Sequence, residues 1–409
     1  MGTFAFYANT IFTPLDKIRD GLVLVEDGVI VKAGARRHLR APRGATVVDL
    51  GDHILAPGLV DIHTHGAARH DSMEASEAAL AAIGRFYASH GVTSYLSTTM
   101  TADIPATLAA ARGLGGWIRH AQSSRDWPER FGARPLGIHF EGPFISTLRC
   151  GAQPKKFVHK PSVGTFARML EAAGKTGRVI TLAPEVEGGL DLLRYARRRG
   201  VRVTIGHSDA TAGEAERAIA AGASHATHVY NAMRPFSHRD PGIIGAVLTD
   251  DRISAELICD GVHVLPEAVR LLVRAKSLER VLLVTDSISA AGMPDGRYRL
   301  GTITVQVRGG ICRTRGKNLA GSTLTLDSAL RNLARFIGRS EAECLRCATL
   351  NPARIIGVEK NKGTIAPGAD ADFAVFDKHW KVKQTFIGGI AVLPERSRAG
   401  EGPKRAGRG

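Results

Sequence analysis

Eight short apolar runs, each followed by an amphipathic segment, alternate along the middle of the chain. The runs are GLVDIHTHG (58–66), GVTSYLSTT (91–99), RPLGIHFE (134–141), GRVITLAPE (177–185), GVRVTIGHS (200–208), SHATHVYN (224–231), SAELICDG (254–261) and RVLLVTDS (280–287). Strands that alternate with helices form parallel βαβ units, and eight such units close into a barrel. The pattern predicts an α/β fold built on a (β/α)8 TIM-like barrel.

The crossover after the fifth run carries the clearest helix signal. Thr211 and Glu214 form a T-x-x-E capping box ahead of an amphipathic stretch. The segment 231–250 behaves differently, because Pro235 and the DPG turn at 240–242 interrupt its start. We expect an elaborated loop at the barrel mouth there.

Both chain ends are typical of β-strands. LVLVEDGVIVKAG predicts a hairpin about Asp27-Gly28, and ADFAVFD and WKVKQTFI predict two strands near the other end. Isolated hairpins are marginally stable in water, so we expect both ends to pair into one small β-sandwich domain. The expected division is 1–56 and 361–394 for the two parts of this β-domain, 57–360 for the catalytic barrel, and 395–409 for a disordered basic tail.

The charge of the chain first suggests nucleic acid. The 409 residues contain 55 Lys and Arg against 39 Asp and Glu, a formal +16, while 44% hydrophobic residues exclude a disordered chain. The tail ERSRAGEGPKRAGRG holds a net +3 of this charge, and clusters such as Arg197-Arg198-Arg199 end helices, where cations complement the dipole. We therefore expect no nucleic-acid partner.

Membrane association is equally unsupported. No apolar run approaches the roughly 18 residues needed to cross a bilayer, and the first residues lack a secretory signal pattern. The five cysteines are sparse and odd in number, which favours reduced thiols and a cytoplasmic location. We interpret the C-x-x-C of Cys344 and Cys347 as two buried helix thiols.

The candidate chemistry lies where the apolar runs end. In a (β/α)8 barrel the active site forms at the carboxyl ends of the strands. The polar residues at those ends are His63, His65, Glu141, His207, His228 and Asp286. Imidazoles and carboxylates converging on one mouth suit a divalent metal such as Zn²⁺ or Fe²⁺.

Eight other histidines fall outside this pattern. They are His53, His90, His120, His139, His159, His225, His238 and His379. We expect them to be structural or exposed, although His139 shares a strand face with Glu141 and is the least secure of these exclusions.

The ordered series of motifs resembles the amidohydrolase superfamily. PGLVDIHTHG, a strand-end Glu, two strand-end His and a final TD follow the superfamily pattern. HFEGPFI, GHSDAT, ATHVYNAMRPF, CDGVHV, LVTDSISAAGMPDG and LAGSTLTLDSAL resemble more specifically the N-acetylglucosamine-6-phosphate deacetylase family. The resemblance runs from about residue 20 to 390.

This resemblance implies a role for each matching residue. It makes Glu141, His207 and His228 ligands of the main metal ion, His63 and His65 ligands of a possible second ion, and Asp286 the catalytic acid/base. The matching substrate-binding positions are Ala152, Gln153, Asn231, Ala232, Arg239, His263, Leu319, Ala320, Gly321, Ser322 and Thr323. Since the phosphate-site arginine and histidine can come from neighbouring subunits in this family, the resemblance also implies a homodimer.

One position departs from the family pattern. The family usually has a histidine after the EGP segment, and this chain has Gln153 there. A glutamine amide can donate a hydrogen bond but cannot carry a charge or shuttle a proton. His159, six residues further on, is an alternative donor.

The expected activity is metal-dependent deacetylation of N-acetylglucosamine 6-phosphate, with one or two Zn²⁺ or Fe²⁺ ions per subunit. The nearest alternative is the same reaction on N-acetylgalactosamine 6-phosphate, and a broader one is another amidohydrolase, such as a cyclic-amide hydrolase. A nucleic-acid-binding protein on an inactive barrel is a distant alternative, since it predicts lost ligands and a basic face with stacking aromatics, whereas aromatics are only 6% here.

Overall fold

The computed structural model describes residues 2–316 and 318–392. The predicted disordered tail, 395–409, lies outside these residues. No helix in the described part of the chain combines the length and apolar character needed to cross a membrane.

The chain begins with five strands: β1 (Thr3–Phe12), β2 (Lys17–Glu26), β3 (Val29–Ala35), β4 (Thr46–Asp49) and β5 (Ile54–Pro57). The predicted hairpin between β2 and β3 is confirmed. Asp27 and Gly28 have φ of 50° and 84°, the positive values that a two-residue type I′ hairpin turn requires.

The next strands are β6 (Leu59–Thr64), β7 (Gly66–Ala67), β8 (His70–Asp71), β9 (Val92–Thr99), β10 (Arg134–Glu141), β11 (Gly177–Leu182), β12 (Arg202–Ile205), β13 (His225–Ala226), β14 (Ser254–Ile258) and β15 (Val281–Val284). Apart from the small β7–β8 hairpin, they form one eight-stranded parallel sheet in the order β15-β14-β13-β12-β11-β10-β9-β6. The first and last strands meet where Asp286 N donates to His63 O at 2.9 Å. The eight predicted strands and the barrel fold class are confirmed.

Helices connect these strands and cover the barrel. They are α1 (Glu77–Ser89), α2 (Ile104–Ser123), α3 (Trp127–Phe131), α4 (Val163–Ala173), α5 (Gly189–Arg198), α6 (Ala212–Ala221), α7 (Gly242–Thr249), α8 (Pro266–Lys276), α9 (Leu326–Ile337), α10 (Glu341–Cys344) and α11 (Leu350–Ile356). The Thr211–Glu214 capping box opens α6 as predicted. α7 starts only at Gly242, which leaves the preceding segment as a loop. Cys344 and Cys347 are buried free thiols.

A three-stranded antiparallel sheet that the sequence pattern did not predict follows the barrel. Its strands are β16 (Gly296–Leu300), β17 (Ile303–Arg308) and β18 (Ile311–Arg313). Alternate side chains such as Tyr298 and Val305 are buried against Met100, Ile288 and Ala320. The sheet therefore packs next to the barrel mouth and supports the segment around Ala320.

The other end of the chain supplies β19 (Phe373–Phe376), β20 (Val382–Ile387) and β21 (Ile390–Val392). These join the first strands in a sheet of order β21-β20-β19-β5-β1-β2-β3, with β4 paired to β1. Phe6 and Val23 pack into one apolar cluster, while the neighbouring Ala5 and Leu22 pack into another. The predicted β-domain built from both chain ends is confirmed, and we keep 57–360 as a proposal for the limits of the catalytic barrel.

A buried ion cluster joins the last helical turn to the β-domain. Lys362 Nζ lies 2.7 Å from Asp370 Oδ2 and 2.6 Å from Asp372 Oδ2. The other oxygen of Asp372 accepts from Gly388 N at 2.8 Å. The two carboxylates therefore satisfy the buried ammonium, and the bond from Gly388 N satisfies the second oxygen of Asp372 next to β19.

We expect Lys362→Met to destabilise the protein by about 3–5 kcal/mol, because removing one partner of a buried pair leaves uncompensated charge. The measurement is the free energy of unfolding in urea. Lys160→Met is the control, since the Lys160–Glu187 pair is exposed, and it should leave that free energy unchanged. Equal losses in the two variants would contradict this account.

Candidate active site

Glu141, the last residue of β10, lies at the centre of four imidazoles. Its Oε1 is 3.2 Å from Nε2 of both His63 and His207 and 3.1 Å from Nε2 of one further histidine, His228. Its Oε2 is 3.2 Å from His65 Nε2. Glu141 is only 2% exposed. The structure thus brings together the strand-end residues that the sequence singled out.

Unusual backbone conformations aim three of these side chains inward. His207, His228 and Asp286 have φ of 46°, 27° and 47°, in the left-handed region that non-glycine residues rarely occupy. Before His207, Gly206 allows close strand contact, because a Cβ there would lie 2.5 Å from Thr227 Cβ. The chain therefore accepts local strain to turn these side chains towards Glu141.

Hydrogen bonds on the far side of the rings set two tautomers. His207 Nδ1 donates to Arg149 O at 3.0 Å, and His63 Nδ1 donates to Glu256 Oε2 at 2.9 Å. With the proton on Nδ1, each Nε2 presents a lone pair to the centre, as metal-ligating histidines do.

Asp286 occupies the opposite side of the same centre. Its Oδ1 lies 3.2 Å from His65 Nε2 and 3.7 Å from His63 Nε2. Burial favours the neutral acid, but the hydrogen bond from His65 and the charge of His63 outweigh it and lower the pKa of Asp286. The carboxylate is therefore ionised at neutral pH and able to accept a proton.

The pKa values of the other groups follow from the same contacts. Burial alone would raise the pKa of Glu141, yet the charges of His63 and His207 hold it well below its usual range. Burial opposes charge on His65 too, but Asp286 and Glu141 raise its pKa to about 9. Ionised carboxylates thus face several nitrogen ligands, and a divalent cation would replace the protons on these nitrogens.

The donor set fits a metal. Among the described residues, three groups each hold their ligand atoms within 4.8 Å of one another: His63–His65–Asp286, Glu141–His207–His228 and His63–His139–Glu256. His63 Nε2 is buried without a hydrogen-bond partner among the described residues, although it faces Glu141. Imidazole nitrogens and carboxylate oxygens are the ligands of catalytic Zn²⁺ and Fe²⁺. The chain therefore carries a candidate centre for a divalent metal.

A cavity of about 250 Å³ opens onto this centre. The predicted site residues in its wall are His65, Glu141, His207, His228, Asp286, Ala152, Gln153, Asn231, Ala232, His263, Leu319 and Gly321. His263 is held by Asp260, whose Oδ2 lies 2.7 Å from its Nδ1. Candidate metal ligands and candidate substrate donors thus face one space.

Five predicted residues lie outside that wall. His63 is fully buried below it, and Ala320 packs against the β16–β18 sheet. Ser322 and Thr323 line an adjacent cavity that also contacts His263. Arg239 is exposed in the loop before α7. Within one subunit, the structure therefore does not bring Arg239 to the candidate site.

Gln153 occupies the position where the family pattern has histidine. It is 6% exposed, its Oε1 accepts from Thr101 N at 2.8 Å, and its Nε2 donates to Glu141 Oε2 at 2.5 Å. His159, the alternative donor, is exposed beside a different cavity. Gln153 therefore lies in the candidate site and contacts its central carboxylate directly.

Sequence reasoning missed Glu256. It lies in the middle of β14 and is fully buried beneath the cavity, between His63 and His225. His139 and His225, expected to be structural, are also buried in the barrel interior. A charged residue inside an apolar run was the available signal, because an unpaired charge is almost never fully buried.

Comparisons with known proteins agree with this geometry. The chain matches the amidohydrolase family over residues 54–392. It is 35% identical over 388 residues to N-acetylglucosamine-6-phosphate deacetylase of Bacillus subtilis (strain 168), covering 95% of this chain and 96% of the relative. It is 36% identical over 387 residues to N-acetylgalactosamine-6-phosphate deacetylase of Escherichia coli O157:H7, covering 95% and 98%.

A solved structure shares the whole fold. A variant of N-acetyl-D-glucosamine-6-phosphate deacetylase from Mycobacterium smegmatis, in complex with N-acetyl-D-glucosamine-6-phosphate, superimposes with a TM-score of 0.88 at 33% identity. The match covers 96% of this chain and 100% of that one.

We expect Glu141→Gln to fold but to lose most bound metal, because it removes the charge on which four imidazoles converge. The measurement is metal per chain by elemental analysis, with circular dichroism to verify folding. Glu185→Gln is a matched control, since that carboxylate accepts from Ser208 Oγ and Asp209 N instead of facing these imidazoles. Metal retained by folded Glu141→Gln would contradict the assignment.

Proposed function

The chain belongs to the amidohydrolase family, and on that premise we propose that it deacetylates N-acetylglucosamine 6-phosphate in amino-sugar catabolism. Water cleaves the amide bond, giving acetate and glucosamine 6-phosphate. We place the enzyme in the cytoplasm, an inference that rests on its sparse cysteines, all of which are free thiols.

A single observation carries the proposal. Asp286, ionised and 3.2 Å from His65, faces the same cavity as Glu141, His207 and His228. Amide hydrolysis needs an activated water and a group that moves a proton from this water to the leaving nitrogen. Candidate metal ligands and an ionised carboxylate that share one cavity support both requirements.

The metal would be held by Glu141, His207 and His228, and we propose Zn²⁺ or Fe²⁺ for this position. When bound, it supplies a water activated at neutral pH and polarises the acetyl carbonyl. His63 and His65, which both face Glu141, support a second ion in the same centre.

Asp286 is the proposed acid/base. Its lowered pKa keeps the carboxylate ionised, so that it accepts a proton as water attacks the carbonyl carbon. It then returns that proton to the amine nitrogen as the C–N bond breaks. His65, in contact with the same oxygen, holds the carboxylate in position between these two transfers.

His263 is the proposed phosphate donor of the cavity wall. Asp260 accepts from its Nδ1 and from its backbone N–H at 2.7 Å each, which fixes the ring. In the doubly protonated ring, Nε2 then donates to the phosphate. Asn231 and Ala232 line the same wall. Gln153 has one amide hydrogen on Glu141 and a second that remains for the acetyl oxygen.

We propose that a homodimer completes the phosphate site. Arg239 is exposed. Two apolar side chains near the candidate site are exposed as well: Phe236 in the same loop, at 55%, and Leu265, close to His263 in the sequence, at 60%. Exposed apolar side chains around a charged donor are typical of an interaction surface. We infer that Arg239 reaches the cavity of a second copy, where its guanidinium binds phosphate in a bidentate manner.

The purified, metal-loaded protein should release acetate from N-acetylglucosamine 6-phosphate, and Asp286→Asn should lower kcat by about 10²–10⁴-fold, because proton transfer is lost. Metal content should stay unchanged in the variant. The assays are coupled acetate detection and elemental analysis.

N-acetylgalactosamine 6-phosphate and the unphosphorylated sugars serve as comparison substrates. A higher kcat/KM for the galacto sugar would reassign the substrate, in line with the Escherichia coli relative. Loss of metal from Asp286→Asn would instead make Asp286 a ligand and overturn its role.

Arg239→Ala should raise KM with little change in kcat, because it removes ground-state binding of the phosphate. Mixing the Arg239→Ala and Asp286→Asn proteins shows whether Arg239 acts in the cavity of its own subunit or in that of the second copy. If Arg239 serves the second copy, mixed dimers regain one intact cavity each, about a quarter of all cavities in a statistical mixture. Activity at low substrate that stays at the level of the separate variants would refute the shared site.

A further inference from the structure

Glu256 is a buried anion on the floor of the barrel, directly below the candidate metal centre. Its Oε2 accepts from His63 Nδ1 at 2.9 Å and from His228 N at 3.2 Å. Its Oε1 lies 3.2 Å from His225 Nε2. One carboxylate on β14 therefore contacts β6 and the end of β13 at the same time.

We propose that Glu256 is a positioning residue that holds His63 and His228 in the geometry required to bind the metal. This inference rests on the proposed function in one respect: it takes His63 and His228 as metal ligands. It adds a determinant of metal affinity that lies outside the ligand set and does not touch the substrate cavity.

The contact with His63 fixes which nitrogen is protonated. A carboxylate accepts hydrogen bonds and cannot donate them when ionised, so the proton of His63 must lie on Nδ1. Nε2, which faces Glu141, is then the nitrogen that remains for a metal ion. Without Glu256 the ring could take the other tautomer, in which the proton on Nε2 would block coordination.

The contact with His228 supports a strained backbone. His228 has φ of 27°, a strained backbone conformation for a residue with a side chain. Its amide donates to the Glu256 carboxylate, which supplies the acceptor. The same charge also lies against His225, three residues earlier, so Glu256 fixes both ends of this short segment.

The test is the retention of Zn²⁺ by Glu256→Gln. We expect the variant to lose zinc at a chelator concentration 10–100-fold lower than wild type, which is the usual effect of removing a carboxylate behind a histidine ligand. The rise in Tm on adding Zn²⁺ should shrink, and kcat should fall without a change in KM.

Asp327→Asn is the matched control. Asp327 is another buried carboxylate that contacts a histidine, with Oδ1 3.2 Å from His90 Nδ1, but it lies on α9 outside the cavity wall. It should lower the Tm of the metal-free protein while leaving zinc retention and kcat unchanged. A merely structural role for Glu256 predicts the same behaviour in Glu256→Gln and would overturn the proposal.

Two further variants keep the test decisive. In a His63→Ala background, Glu256→Gln should cost less zinc affinity than in wild type, and fully additive losses would overturn coupling through His63. If Glu256→Gln does not fold, Glu256→Asp replaces it in the test. The shorter side chain keeps the negative charge but no longer reaches His63, so we again expect zinc to be lost at a lower chelator concentration than in wild type. Wild-type zinc retention in Glu256→Asp would then refute the proposal.

Failure of the proposed function has a different signature. If wild type binds zinc but releases no acetate, the proposed reaction is wrong, and the zinc comparison still decides the role of Glu256. If wild type retains neither zinc nor iron, the metal centre that both proposals assume is absent, and both fall.

Discussion

The burial of the Glu141 charge is the constraint on which the rest of the site depends. A carboxylate removed from water costs several kcal/mol unless charged and hydrogen-bonding partners surround it. Glu141 is almost fully enclosed, so four imidazoles must approach it from three other strands of the barrel. Only a closed barrel, in which all strand ends point to one mouth, brings groups from residues 63 to 228 into contact with one carboxylate. The fold is therefore the means by which a costly charge becomes a stable part of the site.

That convergence places strain on the backbone, and neighbouring strands offset it. His207, His228 and Asp286 all adopt positive φ, yet each is fixed by a bond to another element. His207 O accepts from Ser146 N at 2.8 Å, His228 N donates to Glu256 at 3.2 Å, and Asp286 N donates to His63 O at 2.9 Å. The bond from Asp286 also closes the barrel between its first and last strands. At Asp286, backbone strain and barrel closure thus depend on the same contact.

The sequence could predict the features whose signals are local. Apolar runs and their polar ends identified the eight strands and the residues around Glu141, because burial and strand direction leave a pattern in the run itself. The β16–β18 sheet was not predicted, although Tyr298 and Val305 alternate with polar neighbours. The residues against which it packs, such as Met100, are distant in the sequence. Glu256 was not predicted for a related reason, since its structural role depends on His63, which lies 193 residues away in the sequence. Arg239 matched a motif, yet within one subunit it is exposed and lies outside the cavity wall, which the motif alone does not reveal.

Gln153 shows how the site adapts where it departs from the family pattern. A histidine at this position would add another group able to carry positive charge next to Glu141, which already faces four imidazoles. The glutamine instead contributes a neutral donor to Oε2, while its own oxygen is satisfied by Thr101 N. Oε1 is thereby left to His207 and His228, and the orientation of the carboxylate is set from a rigid backbone position. On the proposed function, the polarisation of the acetyl carbonyl that a histidine would provide falls to the metal and to the second amide hydrogen of Gln153. The contacts of Gln153 thus preserve the orientation of Glu141 without adding a group that can carry positive charge.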